Sequence, residues 1–216
     1  MTGQCALSKM GVGVSRKGET RVTSEINEIA VTIHGVELIF RTHSRLFSPR
    51  AIDRGTLAML SLVELRPGEK ILDLGCGYGV VGIIAAKLIG PEHVVMIDSD
   101  PLAVEFARLN ADLNGVGSVK VIKSDGFENL NESGFDAILS NPPYHTDFSV
   151  PKRFIEKGFN RLELGGQMIL VVKRRKWYEN KLRAIFGGVR IHEIDGYYVM
   201  ISERGTGQWA KRSKRR

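Results

Sequence analysis

The stretch K-I-L-D-L-G-C-G-Y-G, residues 70–79, is the part of the chain around which the remainder arranges itself. Ile71, Leu72 and Leu74 make a short apolar run suited to a buried strand, and glycines follow at alternate positions, Gly75, Gly77 and Gly79. Val80, Val81, Ile83, Ile84, Ala85, Ala86 and Leu88 then supply a helix with a broad apolar face. Strand, glycine loop and helix open a doubly wound nucleotide-binding fold, so a small ligand is expected over the glycines. A dinucleotide fingerprint beginning at Gly75 requires glycine at position 80, where Val80 stands. Asp73, on the strand before the loop, disfavours a pyrophosphate for the same electrostatic reason that it favours a cation. The competing reading is a tight turn with no ligand at all. Cys76, inside the loop, reads as a small buried residue.

Working outward, 216 residues with 43% hydrophobic content allow one sizeable α/β core and not two. The division expected is a basic mobile segment over residues 1–24, a domain over 25–204 and a basic tail over 205–216. Within the domain, 25–68 form a hairpin and helix and 69–204 the ligand-binding core. The net charge of +7 is unevenly placed. Residues 1–24 carry Lys9, Arg16, Lys17 and Arg21 against Glu19, and the last six residues carry five basic side chains and no acid. A nearly neutral body with basic ends fits a polyanionic partner such as RNA, although solubilising tails have the same composition. No apolar run reaches the length of a membrane span and the start lacks a secretory signal, so a cytosolic protein with no membrane partner is expected. Cys5 and Cys76, the two cysteines, suggest neither a disulfide framework nor a zinc site.

Along the chain, Ile29, Val31 and Ile33 alternate with smaller or polar residues, His34-Gly35 turns, and Val36, Leu38 and Phe40 resume the alternation, which is a β-hairpin lying as a cover before the main sheet. Ile52, Leu57, Leu60, Leu62 and Val63 suit an amphipathic helix ended by Pro67-Gly68 and packed beside the first core strand. A second core strand, residues 94–97, ends at Asp98-Ser99-Asp100, with Pro101 placed to start a helix that Asp100 caps. An acid at the end of the second strand is where a carboxylate accepts two hydrogen bonds from a ribose, so Asp98, with Ser99 beside it, is assigned to the ligand. Residues 119–122 make a third strand ending at Ser124-Asp125-Gly126, and Phe135, Ala137, Ile138 and Leu139 a fourth. Phe154, Ile155, Phe159 and Leu162 read as a helix stopped by Gly165-Gly166, followed by a buried strand that ends in Lys173-Arg174-Arg175-Lys176-Trp177. A short helix through Leu182 and two strands joined at Asp195-Gly196 complete a largely parallel, seven-stranded, Rossmann-like sheet with an antiparallel closing hairpin.

The fourth strand runs directly into Asn141-Pro142-Pro143-Tyr144-His145. Two prolines fix the backbone and remove N–H donors, leaving carbonyls that accept hydrogen bonds without local competition. A planar exocyclic amine has the matching donors, one for Asn141 Oδ1 and one for the Pro142 carbonyl, while Tyr144 stacks on the attached base. So held, the nitrogen is set up for in-line attack by orientation and needs no dedicated strong base. His145 reads as a weak proton acceptor or, more simply, as a residue behind the contacting ones.

Residues 70–79 resemble motif I of the class I S-adenosylmethionine (SAM) methyltransferases, and NPPYH resembles the N-P-P-F/Y-H motif of the methyltransferase small-domain family, which includes ribosomal RNA guanine-N2 methyltransferases. Phe47-Ser48 and Asp53-x-Gly55-Thr56 are similar to a further family segment that lies against the pocket, and the resemblance runs from about Ile29 to Glu203. It implies SAM without a metal, with Asp73, Gly75, Cys76, Gly77, Gly79, Asp98, Ser99, Gly126 and Asn141 around it and Asp125 at the adenine amino group. It implies catalysis by Asn141, Pro142, Pro143 and Tyr144, with Phe47, Tyr144, His145, Lys173, Arg174 and Arg175 on the side of an RNA or ribosomal-particle substrate. The best-understood guanine-N2 members carry two tandem halves where this chain has one, which leaves the target base open. The rivals are a protein glutamine N-methyltransferase, which presents the same planar amide, and an idle RNA-binding assembly factor, which the presence of Asp73, Asp98 and Asn141 disfavours.

Overall fold

The computed structural model describes residues 25–143 and 148–209; the basic segment over 1–24, the end of the tail over 210–216, and both Tyr144 and His145 lie outside the described residues. The chain opens with strands β1 (Ile26–Ile33) and β2 (Val36–His43), an antiparallel hairpin forming its own two-stranded sheet. His34, at φ 51°, and Gly35, at φ 76°, make the left-handed turn between them. Helix α1 (Arg54–Leu60) leads to β3 (Ile71–Leu74), α2 (Val80–Ile89), β4 (Val94–Asp98), α3 (Pro101–Leu113), β5 (Lys120–Lys123) and β6 (Phe135–Ser140). Then come α4 (Ser149–Phe159), β7 (Leu162–Val172), α5 (Arg175–Phe186), β8 (Arg190–Ile194) and β9 (Tyr197–Glu203). Strands β3 to β9 form one seven-stranded sheet in the order β5-β4-β3-β6-β7-β9-β8, parallel except for β9, which runs antiparallel to both neighbours. The strand order reverses beside β3, and ligands of such sheets bind at the carboxyl ends around that switch.

Side chains of successive strand residues face opposite ways, and this divides the core in two. Ile71, Met96, Leu139 and Val171 pack with α1, α2, α3 and the hairpin on one face, whereas Leu72, Ile97, Ile138 and Leu170 pack with α4 and α5 on the other. Asp73 shares the face of Ile71 and so points toward α2. The hairpin covers that face through two asparagines one turn apart on α3. Asn110 Oδ1 accepts from the Arg41 amide (2.7 Å) and its Nδ2 donates to the Arg41 carbonyl (2.9 Å). Asn114, the C-cap of α3, repeats the pattern on Ile39, at 3.1 and 2.8 Å. The two amides stand in for a neighbouring strand and satisfy the open edge of β2. Asn110 is fully buried and also donates to the Tyr78 carbonyl (2.9 Å), which ties the hairpin to the glycine loop.

Three expectations are corrected. Helix α1 ends at Leu60, with Leu62 and Val63 beyond its Ser61 C-cap, and it packs on β7 and β9, not beside β3, because its buried Ala58 and Met59 meet the Ile169, Val171, Val199 and Ile201 face. Helix α4 stops at Phe159; Leu162 already pairs with Phe135 in β7, and Gly165-Gly166 lie inside that strand. They serve a register shift between Phe135 and Ala137, where a Cβ on Gly166 would stand 2.7 Å from the Phe135 carbonyl oxygen. The strand expected to end in Lys173–Trp177 stops at Val172: Arg174 is already the N-cap of α5, and Arg175 and Lys176 occupy its first turn.

Candidate active site

A cavity of about 400 Å³ opens along the carboxyl ends of β3, β4, β5 and β6, large enough for a ligand of nucleoside size. Of the residues expected from sequence, Phe47, Asp73, Gly75, Cys76, Gly77, Asp98, Ser99, Asp125, Gly126, Asn141, Pro142 and Pro143 line it. Gly79 does not. It is the N-cap of α2 at φ 100°, and a Cβ there would come within 2.9 Å of Ile83 and 3.4 Å of Ala107. Its role is to turn the chain into the helix against α3. Lys173, Arg174 and Arg175 lie outside the lining, at the end of β7 next to β6.

At one end of the cavity two carboxylates organise the glycine loop. Asp73 Oδ2 accepts from the Gly82 amide (2.8 Å), in the first turn of α2, and so supplies the cap that Gly79 lacks. Gly82 allows the approach, since a Cβ on it would meet the Met96 side chain at 2.3 Å. Asp98 Oδ2 accepts from Gly77 N (2.8 Å) and Oδ1 from Asp100 N (2.9 Å), while Asp100 caps α3 through Leu102 N (2.9 Å). Asp100 is thus the cap of α3, while Asp98 orders the glycine loop. Burial pushes Asp73 up from 3.8 to about 7, with the nearby Asp98 charge adding to the rise and the Gly82 amide opposing it. Burial raises Asp98 as well, against the lowering effect of the Asp100 and Gly77 amides. The Cys76 thiol is pushed well up by its burial and by the same two acids, so it stays protonated. A cation placed here would relieve both acids, whereas an anion would add to their repulsion.

The roof comes from α4, which sequence reasoning treated only as a packing helix. Phe154 lies against Gly75 and Gly126, where added Cβ atoms would approach its ring to 3.9 and 3.4 Å. Arg153 grips Asp125 with both terminal nitrogens, at 3.0 and 2.8 Å, so the acid assigned to an adenine amino group also holds α4 to the end of β5. Nothing local in the sequence marks Phe154 or Arg153, because their spacing is that of any amphipathic helix.

At the other end, Asn141 follows β6 directly. Its Nδ2 donates to Asp53 Oδ2 (2.9 Å) and to Thr56 Oγ1 (3.0 Å), both brought in by α1. Ile52, Asp53 and Thr56 line the cavity too. Beyond the mouth, Lys173 lies 4.9 Å from the centre of the Tyr197 ring and Arg174 lies 5.9 Å from that of Phe148. Arg175 is paired with Glu179 (2.9 Å). Trp177 stacks on Phe148 at 4.3 Å, which makes it an anchor for the start of α5. Among the described residues, no group of acidic, histidine or cysteine side chains could hold a metal ion, and no helix is long and apolar enough to cross a membrane.

Residues 37–202 match the family model described as methyltransferase small domain. The chain is 30% identical over 174 residues to the uncharacterized protein YbxB of Bacillus subtilis, covering 78% of this chain and 87% of that one. It is 31% identical over 164 residues to ribosomal RNA small subunit methyltransferase C of Pseudomonas aeruginosa, covering 74% of this chain and 49% of the relative. Among solved structures, the T. thermophilus 16S rRNA N2 G1207 methyltransferase in complex with AdoMet and guanosine superposes with a TM-score of 0.76 at 27% identity, over 86% of this chain and 52% of that one. The chain therefore spans about half the length of the ribosomal RNA methyltransferases it matches.

Proposed function

The chain belongs to the methyltransferase small domain family, and from that premise we propose that it is a SAM-dependent N-methyltransferase acting on an exocyclic amino group of a ribosomal RNA base, with guanine N2 as the first candidate. The observation that carries the reading is one continuous cavity with Asp73, Asp98 and the glycine loop at one end and Asn141-Pro142 at the other. The residues present fit SAM. Asp73 and Asp98 form an acidic end suited to its cationic amino acid portion and ribose hydroxyls. Gly77 lines the cavity at φ 55°, where a Cβ would meet no protein atom within 4 Å, so glycine there leaves the space clear. Phe154, Asp125 and Gly126, on the same lining, would hold its adenine. When bound, SAM supplies an electrophilic methyl group on its sulfonium.

The chain's own contribution is orientation. Asn141 Oδ1 and the Pro142 carbonyl accept the two hydrogens of the acceptor amine, which withdraws the nitrogen lone pair from conjugation with the base and aims it along the cavity. Phe47, half exposed and on the lining, and Tyr144 are the aromatic groups for the target base. The basic residues that follow β7 reach phosphates beside them. Methylation of ribosomal RNA and of ribosomal subunits prepared from cells lacking this gene, followed by nucleoside mass spectrometry, tests the reading. N2-methylguanosine is expected. A methylated adenine would move the target to another base, and label appearing in a glutamine of a ribosomal protein would replace RNA as the substrate.

A further inference from the structure

Helix α1 is only two turns long, yet its first turn meets the proposed catalytic residue directly. Asn141 Nδ2 has two hydrogens, and two acceptors stand within reach: Asp53 Oδ2 at 2.9 Å and Thr56 Oγ1 at 3.0 Å. The pairing fixes which way the amide faces. Reversed, it would set the Asn141 oxygen against the Asp53 carboxylate with no proton between them, an arrangement that costs far more than a lost neutral hydrogen bond. The nitrogen therefore faces α1, and Oδ1 is turned away from it.

The pair is itself held rigidly. Asp53 Oδ2 also accepts from Thr56 N (2.9 Å), so one oxygen both caps α1 and receives Asn141. Thr56 is buried, and α1 is pressed onto the start of β9 so closely that a Cβ on Gly55 would stand 2.7 Å from the Tyr197 ring. Across the same contact Arg54 pairs with Asp195 in the β8–β9 turn (3.3 Å). A side chain in the pocket is thereby referenced to three separate segments, residues 53–56, the end of β6 and the closing hairpin, which is the support a positioned group needs.

We infer that Asp53 and Thr56 are positioning residues that lock the Asn141 amide with its oxygen toward the acceptor nitrogen. The inference rests on the N-methyltransferase reading for the identity of the acceptor, and on geometry alone for the lock. A weakly held asparagine would sample both amide orientations, and in the reversed one it would present N–H donors to an amine that needs acceptors.

The test separates the lock from the helix cap. Asp53→Ser keeps a good N-cap residue but is too short to reach Asn141. Thr56→Val keeps the packing volume and removes the acceptor. Side-chain amide spectra of the ¹⁵N-labelled protein, with the Asn141 signal assigned by its loss in Asn141→Ala, should show slowed exchange of both protons in the wild type and loss of that protection in the double variant. SAM affinity should stay within about twofold, while methyl transfer to ribosomal RNA should fall in kcat by about ten- to a hundredfold with KM nearly unchanged, the scale set by misorientation of a reacting group. Unchanged Asn141 exchange in the double variant, or a loss confined to KM, overturns the inference. Should Asp53→Ser fail to fold, Thr56→Val alone reads the same exchange signal. If the wild type methylates no RNA, the functional reading fails, and the exchange data still decide whether the pair holds Asn141.

Discussion

The two ends of the pocket are built by different strategies. At the acidic end the organising contacts are short in sequence: Asp98 reaches Asp100 and Gly77, 2 and 21 residues away, and Asp73 reaches Gly82, 9 residues away. At the acceptor end Asn141 is held by Asp53 and Thr56, 88 and 85 residues away. The first end is one βαβ unit closing on itself, and its geometry follows from the turn, the helix N-terminus and the next strand. The second exists only after the sheet is complete and α1 has been laid across β7 and β9. Changes at the acidic end should therefore alter cofactor affinity, and changes at the acceptor end should alter turnover.

Asn141→Ala is the sharpest way to break that contrast. It should lower single-turnover methyl transfer by about 10² to 10³, with SAM affinity in calorimetry nearly intact; a folded variant with wild-type turnover would end the proposed role. Next in size, Asp98→Ala should weaken SAM binding by about tenfold to a hundredfold, the worth of charge-assisted hydrogen bonds. The effect includes release of the Gly77 amide that Asp98 now holds. Unaltered affinity in a folded variant would remove Asp98 from the site.

A pH titration sharpens the comparison further. With Asp73 at about 7, the free protein carries a proton there under mildly acidic conditions and must lose it to face a cation. SAM affinity should rise by up to about tenfold per pH unit as pH climbs toward 7 and level off above it. The sign for stability is opposite. Between the ordinary value of 3.8 and about 7 the folded chain holds more protons than the unfolded one, so the ligand-free protein should lose stability as pH rises through this window. Asp73→Asn should flatten its share of both trends, leaving the share of the also raised Asp98. Flat affinity from mildly acidic to neutral pH would show that Asp73 meets no cation.

The smallest effect is expected at the rim. Arg174→Ala should reduce the slope of log RNA affinity against log salt by about 0.7–0.9, one phosphate contact, and leave SAM binding alone. Arg175→Ala should do less, because Glu179 already engages that guanidinium. Equal slopes in Arg174→Ala and wild type would return the cluster to a solvated surface.

What the amino-acid sequence determines by itself is whatever depends on neighbours along the chain. The β3–glycine loop–α2 unit, the Asp100 cap, the His34-Gly35 and Asp195-Gly196 turns and the strand leading into Asn141 are all settled by local periodicity and by residues with restricted or permissive backbones. Their order along the chain also implies the parallel sheet, and with it the gathering of Asp73, Asp98, Asp125 and Asn141 at one edge. Tertiary structure decided the rest. The extent of α1 and its seat on β7 and β9, the register shift that absorbs Gly165-Gly166, Phe154 over the glycines and the Arg153–Asp125 clasp all depend on which surfaces meet after the sheet has formed. Asn110 and Asn114 are the plainest case. In sequence they are polar residues near the end of a helix, and they become the partners of a strand edge only because the hairpin folds back onto α3. Asp53 is the same lesson at the active site: it caps Thr56, three residues along the chain, and only the fold brings Asn141 to the same oxygen.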